Sequence, residues 1–494
     1  MSVRFWGSAA ALIALTTPAV VHADPAEDAA ALRAELAAMR AQMAAMQSRL
    51  DRMEAQAAAG LVTARPAQTV GAGSPSSAQA GISQWATAPV LIPDQPAPEP
   101  SVQASAAKPA EQTKIGWKGS PLIERGDARF KVKGRIQYDA GYLITPDGVA
   151  DKATGFSNEL RRLRLGAEGQ LGAGFGYKLE LELSDNESDL VDTYISYERG
   201  KWLFMLGNQN SFQSLDELIG DTSGSVMERA AFTDAFGFER RLGFSTQYRN
   251  GPWLAQAGIF TDSADSLANS ADGDTGGDEN DSFSLDGRLV YAPKIGRTQV
   301  HLAGSMHWRE LNRLSDAPVR YRQRPYLHSV NSRYLATPAI SETGETHYGV
   351  EVAAIRGPLH VAGEMHWLRA LRPGLADPTF FGGYAEIGYY LTRGDTRGYG
   401  NGIFGTANPA RPVNAGGPGA IQLNLRYDYL DLNDAGIIGG TQNAVIAGLI
   451  WTPIQYLRFN ANYAHLIYTD AAILAGSRRN YGVDTVALRA ELDF

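Results

Sequence analysis

Lys131, Lys133 and Arg135 stand at every second position between Phe130, Val132 and Ile136, and Arg162 and Arg164 repeat the pattern around Leu163 and Leu165. A period of two places these cations on one face of an extended strand and the apolar residues on the other. Neighbouring strands lie about 4.8 Å apart, so cations on adjacent strands repel unless an anion or a carboxylate intervenes. Guanidinium groups grip phosphate oxygens in pairs, and rings of Arg and Lys line anion pores. The chemistry on offer is reversible binding of a small anion. Glu168, Glu180, Glu182 and Asp192 leave a second reading open: a ladder of ion pairs with little selectivity.

Histidine makes a further constellation. His301, His307, His347, His360 and His366 fall on inward-facing positions of three consecutive strands, with Glu351 and Glu364 among them. His307, His347 and His366 share one height near the outer mouth and could hold a metal or titrate together. Hydrated lumen side chains are the plainer reading, and no metal or other cofactor is required. The acidic segment 262–281 lacks the spacing of an EF-hand and reads as a solvated loop. Arg309, Arg313, Arg320, Arg322, Arg324 and Arg333 make a basic outer loop, suited to lipopolysaccharide phosphates or to gathering anions. Gly400, Gly402 and Gly405 match a dinucleotide fingerprint in spacing, but no helix or crossover unit follows them.

The elements that must position these residues are short, numerous and alternating. At the C-terminal end Val486, Leu488, Ala490, Leu492 and Phe494 alternate with Arg489, Glu491 and Asp493, and similar segments recur from Ala128 onward, with tight turns between them. That is the repeated signal of a transmembrane β-barrel, in which every second residue faces lipid. Sixteen strands are expected. With the N-terminal side in the periplasm, even-numbered connections come out short, as at Arg199–Gly200 and Asn250–Gly251, and long polar ones fall outside. Segment 393–418 is the exception, and a strand hidden there would raise the count to eighteen. A soluble β-sandwich would have to cover outward rows carrying Trp202, Trp253, Trp308 and Trp367.

Hydrophobic residues make up 44% of the 494, and no segment after residue 23 offers the roughly 18 uncharged apolar residues of a membrane helix. Residues 1–23 read as a signal peptide cleaved after Ala23, whose removal takes the formal charge of −8 to −9 by loss of Arg4. Residues 24–59 carry a heptad seam through Leu32, Leu36, Met39, Met43, Met46, Leu50 and Met53, expected to form a short periplasmic coiled coil. Residues 60–120 are a Pro/Ala/Ser-rich linker, and 121–494 the barrel. The absence of cysteine excludes disulfides and thiolate chemistry, and the acidic balance gives no reason to expect nucleic acid.

Asn158–Gly169, with its Arg161, Arg162 and Arg164, resembles the second strand of the phosphate-selective porin O and P family. Gly207–Leu218 resembles the entry to that family's third loop, Met227–Phe236 and Phe238–Gly243 its return, and Ala420–Leu432 its strand thirteen. The resemblance implies a sixteen-stranded trimeric outer-membrane channel whose third loop folds inward as a constriction. It adds Arg161, Arg229, Arg240 and Arg241 to the expected anion path of Lys131, Lys133, Arg135, Arg162 and Arg164. It also implies that Phe494 is read by the outer-membrane assembly machinery. Asn208 and Asn210 depart from the family, which often carries lysines there. The expected function is passive conduction of small anions, phosphate or phosphorylated compounds foremost. The alternatives are a general or carbohydrate-type porin and, from another class, a barrel enzyme such as a lipase. For the enzyme, Ser305 with His301 or His307 would supply nucleophile and base, yet these face inward rather than toward the membrane rim.

Overall fold

The computed structural model describes residues 112–149, 154–184, 188–264, 282–311 and 319–494. The signal peptide, the coiled coil, most of the linker, most of the acidic loop 262–281, and Arg313 lie outside these described residues. Within them the chain forms one closed antiparallel barrel of sixteen strands. The strands are β1 (Ala128–Ile144), β2 (Gly155–Gly172), β3 (Phe175–Glu182), β4 (Asp189–Arg199), β5 (Trp202–Asn210), β6 (Arg240–Asn250), β7 (Trp253–Phe260) and β8 (Ser282–Tyr291). They continue as β9 (Thr298–Leu311), β10 (Gly344–Arg356), β11 (Leu359–Leu371), β12 (Thr379–Tyr390), β13 (Ala420–Asp434), β14 (Ile437–Ile454), β15 (Leu457–Thr469) and β16 (Tyr481–Asp493). Each pairs with the next in sequence, and β16 closes on β1 with Arg489 opposite Asp139 and Leu488 opposite Ala140.

Closure follows from the solvent. In hydrocarbon no backbone group can bond to water, so a sheet survives only if it has no edge. The outward rows are exposed and apolar, as with Leu206, Leu289, Met365, Leu425 and Leu488, whereas inward rows are polar and buried. Aromatic pairs stand toward both rims: Trp202–Tyr248 and Trp253–Tyr291 at one, Trp367–Phe381 and Phe283–Trp308 at the other. We call the first, where β1 begins and β16 ends, the terminal rim, and the other the distal rim. At the terminal rim Phe494 exchanges two backbone hydrogen bonds with Gly134, and its ring lies where a Gly134 side chain would start. A hairpin of Lys114–Trp117 with Pro121–Arg125 extends the sheet beyond the start of β1.

Among the described residues, three connections turn inward into the lumen. The β5–β6 connection carries two short helices, α1 (Leu215–Leu218) and α2 (Ala231–Phe236), the second ended by Gly237 in the left-handed region (φ 64°). Gly382 of β12 lets it approach, because a Cβ there would sit 2.3 Å from Phe232 Cβ. The β9–β10 connection folds over it from the distal rim, where Tyr321, Leu327, Val330 and Tyr334 join one buried apolar cluster with Phe232 and Phe236. The third is the long β12–β13 connection, the segment whose length raised the possibility of eighteen strands. It enters from the terminal rim as a hairpin of Gly398–Gly400 with Ile403–Gly405, outside the barrel sheet. Asn401 (φ 54°) and Gly402 (φ 72°) make its turn, as Asn-Gly does in a tight hairpin, so the glycine spacing there serves backbone geometry.

Candidate functional site

Beside the inward loops, cavities remain against the basic rows of β1 and β2 and against β16. A β-bulge shapes this wall. Gln137 pairs with Arg162 and Tyr138 with Leu160, so Arg161 is the unpaired extra residue. The bulge reverses the alternation at that point and turns two consecutive arginines toward the lumen. Strict alternation would send one of them into lipid.

Asp221 of the β5–β6 loop projects into these arginines. Its carboxylate lies 2.9 Å from Arg162, 3.2 Å from Arg229, 3.3 Å from Arg135 and 3.7 Å from Arg164. Burial alone would raise the Asp221 pKa, but Arg162, Arg229, Arg164 and Arg135 hold it well below the usual carboxylate range. Arg135 also meets Asp493 at 3.2 Å, Arg164 meets Glu182 at 2.7 Å, and Arg229 meets Glu217 at 3.1 Å. Glu217 behaves oppositely to Asp221: burial outweighs the pull of Arg229 and pushes its carboxyl up to about 7. The Asp221 knot separates two cavities. One, toward the distal rim, is lined by Arg161, Arg162, Glu228, Arg324, His328 and Arg489 among others. The second, toward the terminal rim, is lined by Lys131, Lys133, Arg397, Arg458 and Glu491 among others.

The expected anion-path residues therefore divide. Arg135, Arg162, Arg164 and Arg229 meet at Asp221. Lys131 and Lys133 line the cavity below, with Lys133 4.0 Å from Glu168, and Arg161 lines the cavity above. Arg240 bonds Asp192 at 2.6 Å, where Lys178 also binds at 2.5 Å. Arg241 stands apart, buried with Asp262 (3.7 Å) and Ser282 (3.3 Å). Asn208 donates to the Val191 carbonyl at 2.6 Å and serves the wall.

A sequence model of the phosphate-selective porin O and P family matches residues 130–494. The chain belongs to that family. A protein of Caulobacter vibrioides, described as uncharacterised, is 55% identical over 415 residues, covering 83% of this chain and 84% of its own. Among solved structures, an anion-selective porin from Comamonas acidovorans is similar at 13% identity, covering 74% of this chain and 100% of its own, with a TM-score of 0.47. The outer-membrane channel DcaP of Acinetobacter baumannii is similar at 14% identity, covering 77% of this chain and 100% of its own, with a TM-score of 0.44.

This porin of the outer membrane holds its constriction loop with wall residues whose contacts no local pattern marked. Glu364 of β11 accepts from the Leu215 and Asp216 amides at 2.7 and 2.8 Å and from Ser214 Oγ at 3.0 Å, anchoring the start of α1. Arg426 and Glu386 bond each other at 2.7 Å and hold Asp216 and Ser225 of the loop at 3.1 and 2.6 Å. Arg489 bridges Asp139, through two 2.7 Å bonds, and Glu228 at 2.6 Å. Arg397 of the β12–β13 connection donates to Ser223 and Ser225, tying two inward loops together. The only advance signal for Asp221 was its place between Gly220 and Gly224, which marks a turn but gives no direction.

The histidines cluster as their strand positions imply. His307 lies opposite His347, with ring centroids 4.9 Å apart, and His347 Nδ1 is 3.3 Å from His366 Nε2. His301 instead binds Glu351 at 3.0 Å and Tyr399 at 2.7 Å, and His360 lies 3.0 Å from Arg397. Ser305 donates to the Gln213 carbonyl at 2.5 Å, so its hydroxyl hydrogen anchors the constriction loop rather than a histidine base.

Proposed function

We propose that this porin is a passive channel selective for small anions, phosphate and phosphorylated solutes above all, with Arg135, Arg162, Arg164 and Arg229 as its filter. One observation carries the reading: four guanidinium groups converge on the single carboxylate of Asp221. That carboxylate marks where an incoming oxyanion would be held, and neighbouring acids temper the cations enough for release. Lys131 and Lys133 on one side, and Arg161 on the other, extend the path into both cavities. Conduction needs only that the anion exchange with Asp221 and be handed on. Three further features of the reading come from the family and the sequence. The body is a homotrimer, the terminal rim faces the periplasm, and the coiled coil of residues 24–59 hangs there behind the linker. The basic β9–β10 loop then faces lipopolysaccharide.

Single-channel recording in a salt gradient tests the filter. The expected reversal potential is that of an anion channel, phosphate should block chloride current, and Arg162→Ala with Arg164→Ala should lower the anion preference several-fold. Cation selectivity in the unaltered protein would overturn the reading. A weakly selective general porin is the second reading, favoured by the pairing of Arg164 with Glu182 and of Arg240 with Asp192. It predicts a reversal potential near zero and no phosphate block.

A further inference from the structure

On the opposite wall from the arginine knot, β9 and β10 bring three ligand-bearing side chains to one buried point. His307 and His347 are register partners on β9 and β10, and Glu345 precedes His347 by two residues on the same face. One donor atom from each of His307, His347 and Glu345 lies within 4.8 Å of the other two. All three residues are buried, at 2%, 2% and 5% exposure. We propose that they form a divalent-cation site of the zinc class, with a fourth position left open.

Each ligand is already oriented by a partner. Asp286 of β8 bonds His307 Nδ1 at 2.8 Å, which leaves Nε2 with its lone pair free. A carboxylate behind a histidine in this way fixes the tautomer and raises the basicity of a ligating imidazole. His366 meets His347 Nδ1 at 3.3 Å and directs His347 Nε2 toward Glu345 Oε2, 3.1 Å away. His366 itself packs among phenylalanines, with Phe238 at 4.9 Å and Phe232 at 5.4 Å between ring centroids, so it orients rather than ligates. Arg309 holds Glu345 Oε1 at 2.9 Å, leaving Oε2 for the ion. The single hydroxyl hydrogen of Tyr321 has two acceptors in reach, Glu345 Oε2 at 3.2 Å and Glu342 at 2.9 Å, and goes to Glu342 if Oε2 turns to a metal.

Charge and chemistry agree with this assignment. In the surrounding wall the carboxylates of Asp262, Asp286 and Glu345 outnumber the guanidinium groups of Arg241 and Arg309, so the wall favours a cation. Two imidazoles and one carboxylate suit zinc or a neighbouring transition metal and are a poor set for magnesium or calcium. Phe236 and Phe238 of the constriction loop rest on His347, with ring centroids 6.2 and 5.8 Å away. An ion here would rivet β9 to β10 under the loop that sets the pore.

The test is calorimetric titration of Zn2+ into the untagged, full-length, EDTA-washed protein in detergent, with Co2+ absorption as a second readout. The site predicts one saturable ion per chain, a four-coordinate Co2+ spectrum and a raised melting temperature. Binding should fall at least 100-fold in His307→Ala and in His347→Ala, and about 10- to 100-fold in Asp286→Asn, which removes only the orienting charge. His465→Ala, at an exposed histidine on β15, should change nothing. If an alanine variant fails to fold, His307→Gln and Glu345→Gln take its place, since both keep a hydrogen-bonding amide. No saturable binding in the unaltered protein, or binding that survives His307→Gln and Glu345→Gln undiminished, overturns the assignment.

Discussion

Asp221 and Glu217 lie four residues apart on one loop, yet their surroundings set them to opposite uses. Asp221, held ionised by four arginines, occupies the place that the proposed filter gives to the permeating anion. Asp221→Asn removes the competing charge, and charged hydrogen bonds of about 1.5–3 kcal/mol imply roughly tenfold tighter phosphate block in current recordings. Glu217, pushed up to about 7 by burial, changes charge within the working range. Because its pKa is raised, it is neutral below pH 7 and negative above. Acidification therefore strips one negative charge from beside Arg229 and should increase anion preference as pH falls from about 8 to 6. Glu217→Gln should hold the acid-side value at every pH, which reversal potentials across that range will show.

At the scale of elements, the constriction loop is seated by the wall more than by its own helices. Two helices of four and six residues have little stability alone, since helix nucleation is costly. Glu364 satisfies the first free amides of α1, and Glu364→Ala should cost the loop about 3 kcal/mol while the barrel itself stays closed. The expected signature is a larger and noisier conductance with an unchanged β-sheet circular dichroism spectrum. The sixteen strands were legible because lipid on one side and water on the other write a period of two into every pass, as in Val486–Phe494. Arg161 resisted the same reasoning, because a single extra residue reverses the facing, and only the β1–β2 register reveals it. The role of Asp221, and that of Glu364, which was placed on the inward face without a partner, were hidden for another reason. Their partners lie far away in sequence, and the loop's path across the lumen follows from packing that no local pattern records. His307 and His347 were visible from strand position alone, but Glu345 was overlooked beside His366, because ring packing decides which of them turns toward the other two.

For the molecule as a whole, the seam between β1 and β16 is also where the constriction loop is attached. Arg489→Ala would leave the fully buried carboxylate of Asp139 without its guanidinium partner and take one partner from Glu228, a loss of about 3–5 kcal/mol. The heat-induced shift from folded to unfolded mobility on a denaturing gel should therefore occur at a clearly lower temperature. The same triad carries a consequence for assembly. Asp139 belongs to the first strand, Arg489 to the last and Glu228 to a loop between them. A barrel that closed with this loop still outside would leave Arg489 short of one partner, and the loop could enter afterwards only past the β9–β10 connection. The favourable order is loop first and seam last, so the strand that closes the barrel inspects the interior before it locks the door.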